Sequence, residues 1–152
     1  MAVVDWRELK AELRILGLDV GTKTIGLALS DATRIVATPL RTIKRTKFAA
    51  DAGSLRAVIG EMGVDALVIG LPLSMDGTEG PRCQSVRQFA ANLLETIDLP
   101  VAFWDERLST AAVERMLIRE ADMPRKRRAQ VVDKAAAAYS LQGALDAMNR
   151  QG

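Results

Sequence analysis

Three sets of acidic residues stand at positions where a carboxylate could do chemistry. Asp19 lies inside the apolar run Arg14–Val20, where a buried carboxylate is costly unless it has a partner, a proton or a metal ion. Asp105 and Glu106 follow a second apolar run, and Asp133 begins a stripe of small apolar residues at helical spacing. Acids from three separate elements predict a site for Mg²⁺ or Mn²⁺, because these ions prefer carboxylate oxygen and water.

The chain of 152 residues contains no histidine and one cysteine, Cys83. These counts exclude a Ser-His-Asp triad, a Cys-His dyad, a zinc finger and any metal site built on histidine. Two hard cations can activate water and stabilise a leaving oxygen in phosphodiester cleavage without an imidazole. The composition is therefore compatible with an all-oxygen metal site.

The sequence pattern leaves open which of the two neighbouring acids joins the site. Consecutive residues of a strand point to opposite faces, so only one can face the same way as Asp19. Asp105 shares its side with Val101 and Phe103, whereas Glu106 shares its side with Trp104. The other acid is expected to meet solvent or to fix a loop.

Asp19 and Asp133 also have purely structural interpretations. Asp19 could accept hydrogen bonds from the amides of the turn Gly21–Lys23, and Asp133 could stabilise a helix through its dipole. The same turn also offers amides, a hydroxyl and a cation, which suit an approach to phosphate.

Basic residues form two clusters on a chain whose net charge is only +2. The first occupies an acid-free stretch and comprises Arg34, Arg41, Lys44, Arg45 and Lys47; the second, which we predict to contact nucleic acid, comprises Arg125, Lys126, Arg127 and Arg128. Each cluster is compatible with a solvated face, the usual explanation of a charge run, and such uneven charge also points to a polyanionic partner. Because aromatic residues are only 4% of the chain, recognition is expected to rely on phosphate contacts and shape.

The order of elements predicts a single α/β domain over residues 1–152, with a short helical lead-in over residues 1–13. The predicted strands are Arg14–Val20, Thr24–Ser30, Ile35–Ile43, Ala66–Leu73 and Val101–Arg107. The predicted helices are Lys47–Met62, Pro81–Ile97, a helix from Ser109 or Thr110 to Arg119, and a final one that follows the basic connector Pro124–Arg128 and ends near Asn149. Hairpins in the first half and helical crossovers in the second predict a mixed five-stranded sheet with helices on both faces.

The absence of other signals predicts a cytoplasmic protein. No apolar run approaches the ~20 residues of a membrane span, and the first residues alternate charged and apolar types, unlike a signal peptide. A lone cysteine favours a reducing compartment, and Cys83 is expected to pack within a helix. We expect no membrane partner, and a monomer or weak homodimer.

Four blocks of sequence closely resemble the YqgF (RuvX-type) family, bacterial ribonuclease-H-like proteins related to Holliday-junction resolvases. The blocks are Leu16–Asp31, Gly70–Gly80, Asp105–Thr110 and Val132–Ala136, in family order, and the resemblance extends from about Arg14 to Met148. The blocks Asp-Glu-Arg-Leu-Ser-Thr and Leu-Pro-Leu-Ser-Met-Asp-Gly-Thr are specific, whereas the first block alone is a weak signal.

The resemblance implies a ribonuclease-H-like fold in which Asp19, Glu106 and Asp133 are catalytic and bind Mg²⁺ or Mn²⁺. It also implies a cytoplasmic nuclease that matures the 5′ end of pre-16S rRNA. The motif positions expected to face this structured RNA are Lys23, Arg107, Asp76, Gly77 and Thr78. Thr24 departs from the family, which usually has arginine there, and this removes one candidate phosphate contact.

Three other functions remain in view at this stage. A DNA Holliday-junction resolvase would use the same acids on branched DNA. A non-catalytic nucleic-acid-binding module would keep the scaffold without turnover. An ATP phosphotransferase of the actin and sugar-kinase type is disfavoured, because such proteins close two domains of this kind over ATP.

Overall fold

The computed structural model describes residues 3–9, 13–74, 76–109 and 125–151, and for 108–109, 125–133 and 151 it describes the backbone only. The described strands are β1 (Val3–Val4), β2 (Ile15–Val20), β3 (Thr24–Ser30), β4 (Ala37–Lys44), β5 (Ala66–Leu71) and β6 (Val101–Asp105). They form one sheet in the order β1-β6-β5-β2-β3-β4. The described helices are α1 (Phe48–Met62), α2 (Pro81–Leu94) and α3 (Arg125–Gln151).

The first half of the sheet is antiparallel, as the hairpin spacing predicts. Strand β2 pairs with β3, and the turn between them closes where the Gly21 amide donates to the Thr24 carbonyl at 2.8 Å. Strand β4 forms the edge beyond β3, with a register shift between Leu27 and Ala28. Pro39 therefore lies on an edge strand, where a missing backbone donor is tolerated.

The second half of the sheet is parallel, because helices connect its strands. Strand β2 pairs in parallel with β5, and β5 pairs in parallel with β6. All six residues of β5 are buried, as expected for a central strand covered on both faces. The carboxyl ends of β2, β5 and β6 consequently lie at one edge of the sheet.

Two hydrophobic cores cover the two faces of the sheet. Helices α1 and α2 pack on one face through residues such as Leu55, Phe89 and the fully buried Cys83. Helix α3 packs on the other face, around Leu141. There the helix comes so close to β2 that a Cβ on Gly17 would lie 2.9 Å from the Leu141 Cβ. Helices on both faces and a structural role for Cys83 are thus confirmed.

The predicted helical lead-in over residues 1–13 is wrong at Val3 and Val4 and is reduced to one 3₁₀ turn in the rest of the segment that the structure describes. Val3 and Val4 form a short strand beside β6, so the sheet has six strands rather than five. A single 3₁₀ turn, Trp6–Glu8, follows, and its tryptophan ring packs edge-on against Trp104 at 5.4 Å. The partners that fix this segment lie about a hundred residues away, beyond what local spacing can show.

Several boundaries differ from the sequence predictions. Strand β4 begins at Ala37, because the Asp31 side chain accepts hydrogen bonds from the amides of Ile35 and Val36 and holds a turn there. Strand β6 ends at Asp105 and continues as a 3₁₀ turn over Glu106–Ser109. The helix predicted to run to Arg119 lies outside the described residues. Within the described ranges, no helix is both long and apolar enough to cross a membrane.

Candidate functional site

Asp19 and Glu106 meet at the edge of the sheet where the parallel strands end. Asp19 is the penultimate residue of β2, and Glu106 directly follows β6. The two carboxyl groups interact through a hydrogen bond and through their charges. Ligands of open α/β sheets characteristically bind outside the carboxyl ends of the strands, so this pair lies where a substrate can reach it.

Gly70 provides the space for this pairing. In the sheet, β5 lies between β6 and β2, so the side chain of Glu106, just after β6, must cross β5 to reach Asp19. A Cβ on Gly70 would lie 3.0 Å from both Cγ and Cδ of Glu106, and its Oε1 would be closer still. A glycine in a strand interior often marks such a close approach. Any larger residue at position 70 would displace the Glu106 carboxyl group.

The environment of Glu106 strongly favours its protonated form. Burial, followed by the charge of Asp19 and the hydrogen bond with it, raises the pKa of Glu106 to about 8 from its usual 4.5. The positive charge of Arg82 acts in the opposite direction. Two carboxyl groups this close share a proton readily, and a divalent cation can replace that proton.

The two acids of the site whose side chains the structure describes, Asp19 and Glu106, fit Mg²⁺ or Mn²⁺. Carboxylate oxygens are the ligands these ions prefer, and Asp19 and Glu106 offer four of them. Among the described side chains, no group of three or more acidic, cysteine or histidine residues could hold a metal ion. Asp133 belongs to α3 by its backbone, and its side chain is outside the described part of the chain.

Asp105 has a different partner from Glu106. Its carboxylate accepts hydrogen bonds from Arg107, whose Nη2 lies 2.6 Å from Oδ2 and whose Nε lies 3.0 Å from both oxygens. These side-chain bonds hold the pKa of Asp105 below its usual value. The backbone amide of Arg107 adds another bond at 3.0 Å. Of the two neighbouring acids, therefore, Glu106 is the one that contacts Asp19.

Arg107 also lies against the loop that carries three of the predicted substrate contacts. Within that loop, Asp76 accepts hydrogen bonds from the Thr78 hydroxyl at 2.6 Å and from the Thr78 amide at 3.0 Å. Gly77 has a φ of 89°, and a Cβ there would lie 3.4 Å from Nη1 of Arg107. Asp76 and Thr78 are exposed, as is Lys23 in the turn after β2.

The first basic cluster divides into residues with different surroundings. Arg34 is buried, has a φ of 57°, and donates from Nη1 to the Leu9 carbonyl at 3.4 Å, so it is no surface cation. Arg41 is exposed beside Glu61, its Nη2 3.8 Å from Oε2. Lys44 and Lys47 are also exposed. A basic residue in this cluster is therefore not necessarily exposed to solvent.

The second basic cluster is part of a helix. Residues Arg125, Lys126, Arg127 and Arg128 begin α3, so the predicted connector is wrong from Arg125 onward. Their side chains, like that of Asp133, are outside the described part. The backbone places this cluster immediately before the helical segment that packs across the sheet.

Two residues near the acid pair were missed by sequence reasoning. Gly70 had a readable signal, since a glycine interrupts an otherwise apolar central strand. Arg82 had none, because a single arginine in the first turn of a helix does not reveal that its charge acts on Glu106.

Comparison with known proteins finds a matching family and close relatives over most of the chain. A family model described as "RuvX: Holliday junction resolvase" matches residues 13–147. A relative in Paramagnetospirillum magneticum, named "Putative pre-16S rRNA nuclease", is 65% identical over 144 residues, covering 95% of this chain and 91% of that protein. A relative of the same name in Rhodospirillum rubrum is 62% identical over 137 residues, covering 90% of this chain and 85% of its own.

Solved structures match the fold at low identity. Thermus thermophilus RuvC, in complex with a Holliday junction substrate, superposes with a TM-score of 0.58 at 15% identity, over 92% of this chain and 97% of that one. The yeast mitochondrial Holliday junction resolvase superposes with a TM-score of 0.54 at 10% identity, over 93% of this chain and 82% of that one. The chain therefore has the ribonuclease-H-like fold of these resolvases, as the resemblance implied.

Proposed function

This chain belongs to the RuvX family, and we propose that it is a divalent-metal-dependent nuclease that cleaves phosphodiester bonds of structured nucleic acid. The observation that carries the proposal is the contact between Asp19 and Glu106 at the carboxyl edge of the parallel strands. Paired carboxylates at such an edge are suited to hold a cation against a substrate phosphate.

In this proposal Asp133 completes the set of acids. It lies four residues before Ala137, which is buried against the same sheet face as Trp104. Residues four apart share one face of a helix, so position 133 lies on the helix face that carries Ala137. A bound Mg²⁺ or Mn²⁺ would supply a water of lowered pKa and a positive charge for the leaving oxygen. Asp19 and Glu106 would orient that ion, and must both be ionised to do so.

Basic and polar residues around the pair would hold the substrate. Lys23 and the loop residues Asp76, Gly77 and Thr78 are proposed to contact the sugar-phosphate backbone, with Arg107 supporting the loop. Arg125, Lys126, Arg127 and Arg128 would extend the positive surface along the start of α3. With few aromatic residues, the protein would read shape and phosphate spacing rather than stack bases.

We propose pre-16S rRNA, at its 5′ end, as the substrate, acted on in the cytoplasm. The names of the relatives from P. magneticum and R. rubrum support an RNA substrate. The description of the matching family model supports a second candidate, a four-way DNA junction. Both substrates would be cleaved by the same acids, so only a direct comparison separates them.

The test is a side-by-side single-turnover assay on a pre-16S rRNA 5′ fragment and a four-way DNA junction, with Mg²⁺ or Mn²⁺. We expect RNA cleavage by the wild type, and loss of about 10²–10⁴-fold in the double variant Asp19→Asn, Glu106→Gln. Glu95→Gln, which removes an exposed acid at the end of α2, is the matched control and should cleave normally. Faster cleavage of the junction would reassign the substrate. Binding without turnover on either substrate would make the chain a non-catalytic module.

A further inference from the structure

A cleft of about 230 Å³ opens at the carboxyl end of β2, between the turn after β2 and the start of α2. Its walls include the backbone of Val20 and Gly21, the hydroxyl residues Thr22 and Ser85, and the two cations Arg45 and Arg82. None of these residues is an acid or a proposed ligand of the metal ion. The cleft thus sets two cations and two hydroxyl residues in a largely apolar wall that begins at Val20, the residue after Asp19.

Arg45 is held firmly in the wall of this cleft. Its Nη1 donates to the Gly21 carbonyl at 2.7 Å, and its guanidinium lies over the Phe89 ring at 5.1 Å. Its Nε is 3.9 Å from Oδ2 of Asp51, a carboxylate that is only 2% exposed. Asp51 therefore offsets part of the Arg45 charge, and Arg45 mainly shapes the cleft.

Arg82 connects the cleft with the acid pair. Its Nη2 donates to the carbonyl of Val20, the residue after Asp19, at 3.4 Å, and its charge acts on Glu106. A guanidinium has five N–H donors in a planar fork that suits phosphate oxygens. Arg82 is exposed, so a ligand in the cleft can reach it. The arginine is thus placed to contact an anion that lies next to the site of cleavage.

We propose that this cleft binds one backbone phosphate of the nucleic-acid substrate, adjacent to the phosphodiester at the Asp19–Glu106 pair, with Arg82 as its principal contact. The inference rests on the proposed nuclease function and names a subsite for it. Among the described lining residues no aromatic ring is offered to a base, so the cleft recognises a phosphate and its sugar, not a nucleobase. Arg82 is a substrate-binding residue in this proposal, and its contact fixes the register of the strand.

The test measures binding, so it does not require turnover. A labelled RNA of about 12 nucleotides is titrated by fluorescence anisotropy in EDTA against wild type, Arg82→Gln, Arg82→Lys and Arg56→Gln. Arg56→Gln is the matched control, since it removes one exposed arginine from α1 outside the cleft. We expect Arg82→Gln to weaken binding by about tenfold and to lower the salt slope by about 0.7. Arg82→Lys should recover part of both. Arg56→Gln should change the affinity by less than about twofold and leave the salt slope unchanged.

A second arm identifies the phosphate. One uncharged methylphosphonate linkage is moved along the RNA, and we expect one position to weaken binding to wild type but not to Arg82→Gln. The proposal would be overturned if Arg82→Gln and Arg56→Gln lost RNA affinity equally. It would also be overturned if no methylphosphonate position weakened binding to the wild type more than binding to Arg82→Gln. Displacement of the RNA by ADP, with inorganic phosphate without effect, would also overturn it, because the cleft would then be a nucleotide site. If the wild type binds RNA in this manner but never cleaves, the nuclease proposal fails while the subsite stands.

Discussion

Gly70→Ala adds one methyl group against Glu106 and substitutes none of the proposed catalytic residues. The new Cβ would lie 3.0 Å from Cγ and Cδ of Glu106, whereas ordinary contacts are 3.4–4 Å. Cγ and Cδ of Glu106 must therefore move by about 0.4–1 Å and its Oε1 by more than that, which disturbs the contact with Asp19. A displacement of about 1 Å at a catalytic centre typically costs about 10²-fold in rate. We expect kcat/KM for RNA cleavage to fall about 10²-fold, equivalent to about 2.7 kcal/mol of transition-state stabilisation.

The assay compares Gly70→Ala with Gly60→Ala, a substitution in α1 whose new Cβ meets nothing within 4 Å. Both proteins are examined by thermal melting, by calorimetric Mn²⁺ titration and by single-turnover cleavage. Gly60→Ala should cleave normally and gain up to about 1 kcal/mol in stability, because alanine is the better helix former. Gly70→Ala should remain folded, since the half-buried Glu106 side chain can rotate, and should bind Mn²⁺ more weakly. Wild-type Mn²⁺ affinity and cleavage in a folded Gly70→Ala protein would refute the close pairing of Glu106 with Asp19.

Three further predictions concern the surroundings of the acid pair. Gly17→Ala should lower the free energy of unfolding in urea by about 1–3 kcal/mol, because its Cβ would press on the fully buried Leu141; an unchanged midpoint would contradict the close helix packing. Asp105→Asn should lower the cleavage rate by at most about fivefold, or about 1 kcal/mol in activation free energy, because its ion pair with Arg107 is partly exposed. A loss of rate as large as that of Glu106→Gln would mean that Asp105, and not Glu106, is the catalytic acid. The raised pKa of Glu106 stabilises the metal-free protein fully below pH 4.5, and this stability is lost as the pH rises through about 8. After solvent screening, this pH-dependent stability amounts to about 1–3 kcal/mol. The melting temperature of the wild type should therefore fall between pH 4.5 and about 8, and that of Glu106→Gln should change less over the same pH range.

The fold was largely readable from the sequence where interactions are local. Strand β3 begins and ends at the predicted residues Thr24 and Ser30, because a short glycine turn separates two apolar runs. The lead-in failed because Val3 and Val4 pair with Val101 and Ala102, which no local pattern reveals. Long-range pairing therefore decided the number of strands.

The candidate site was readable in its residue types more than in its geometry. Asp19 stood out because a carboxylate in an apolar strand needs a partner. Side chains along a strand point alternately to its two faces, but this pattern does not say which face carries the site. The sequence therefore could not choose between Asp105 and Glu106. The gap at Gly70 and the charge of Arg82 depend on neighbouring strands and helices, and so became apparent only in three dimensions.

The central claim is that Asp19 and Glu106 hold a divalent cation that phosphodiester cleavage requires. Its most direct test is the single-turnover rate of pre-16S rRNA cleavage as a function of Mn²⁺ concentration, for wild type, Asp19→Asn and Glu106→Gln. We predict no cleavage in EDTA, a saturating rise for wild type, and rates about 10²–10⁴-fold lower for each variant at saturating Mn²⁺. Cleavage in EDTA by the wild type, or wild-type rates from either variant, would contradict the claim.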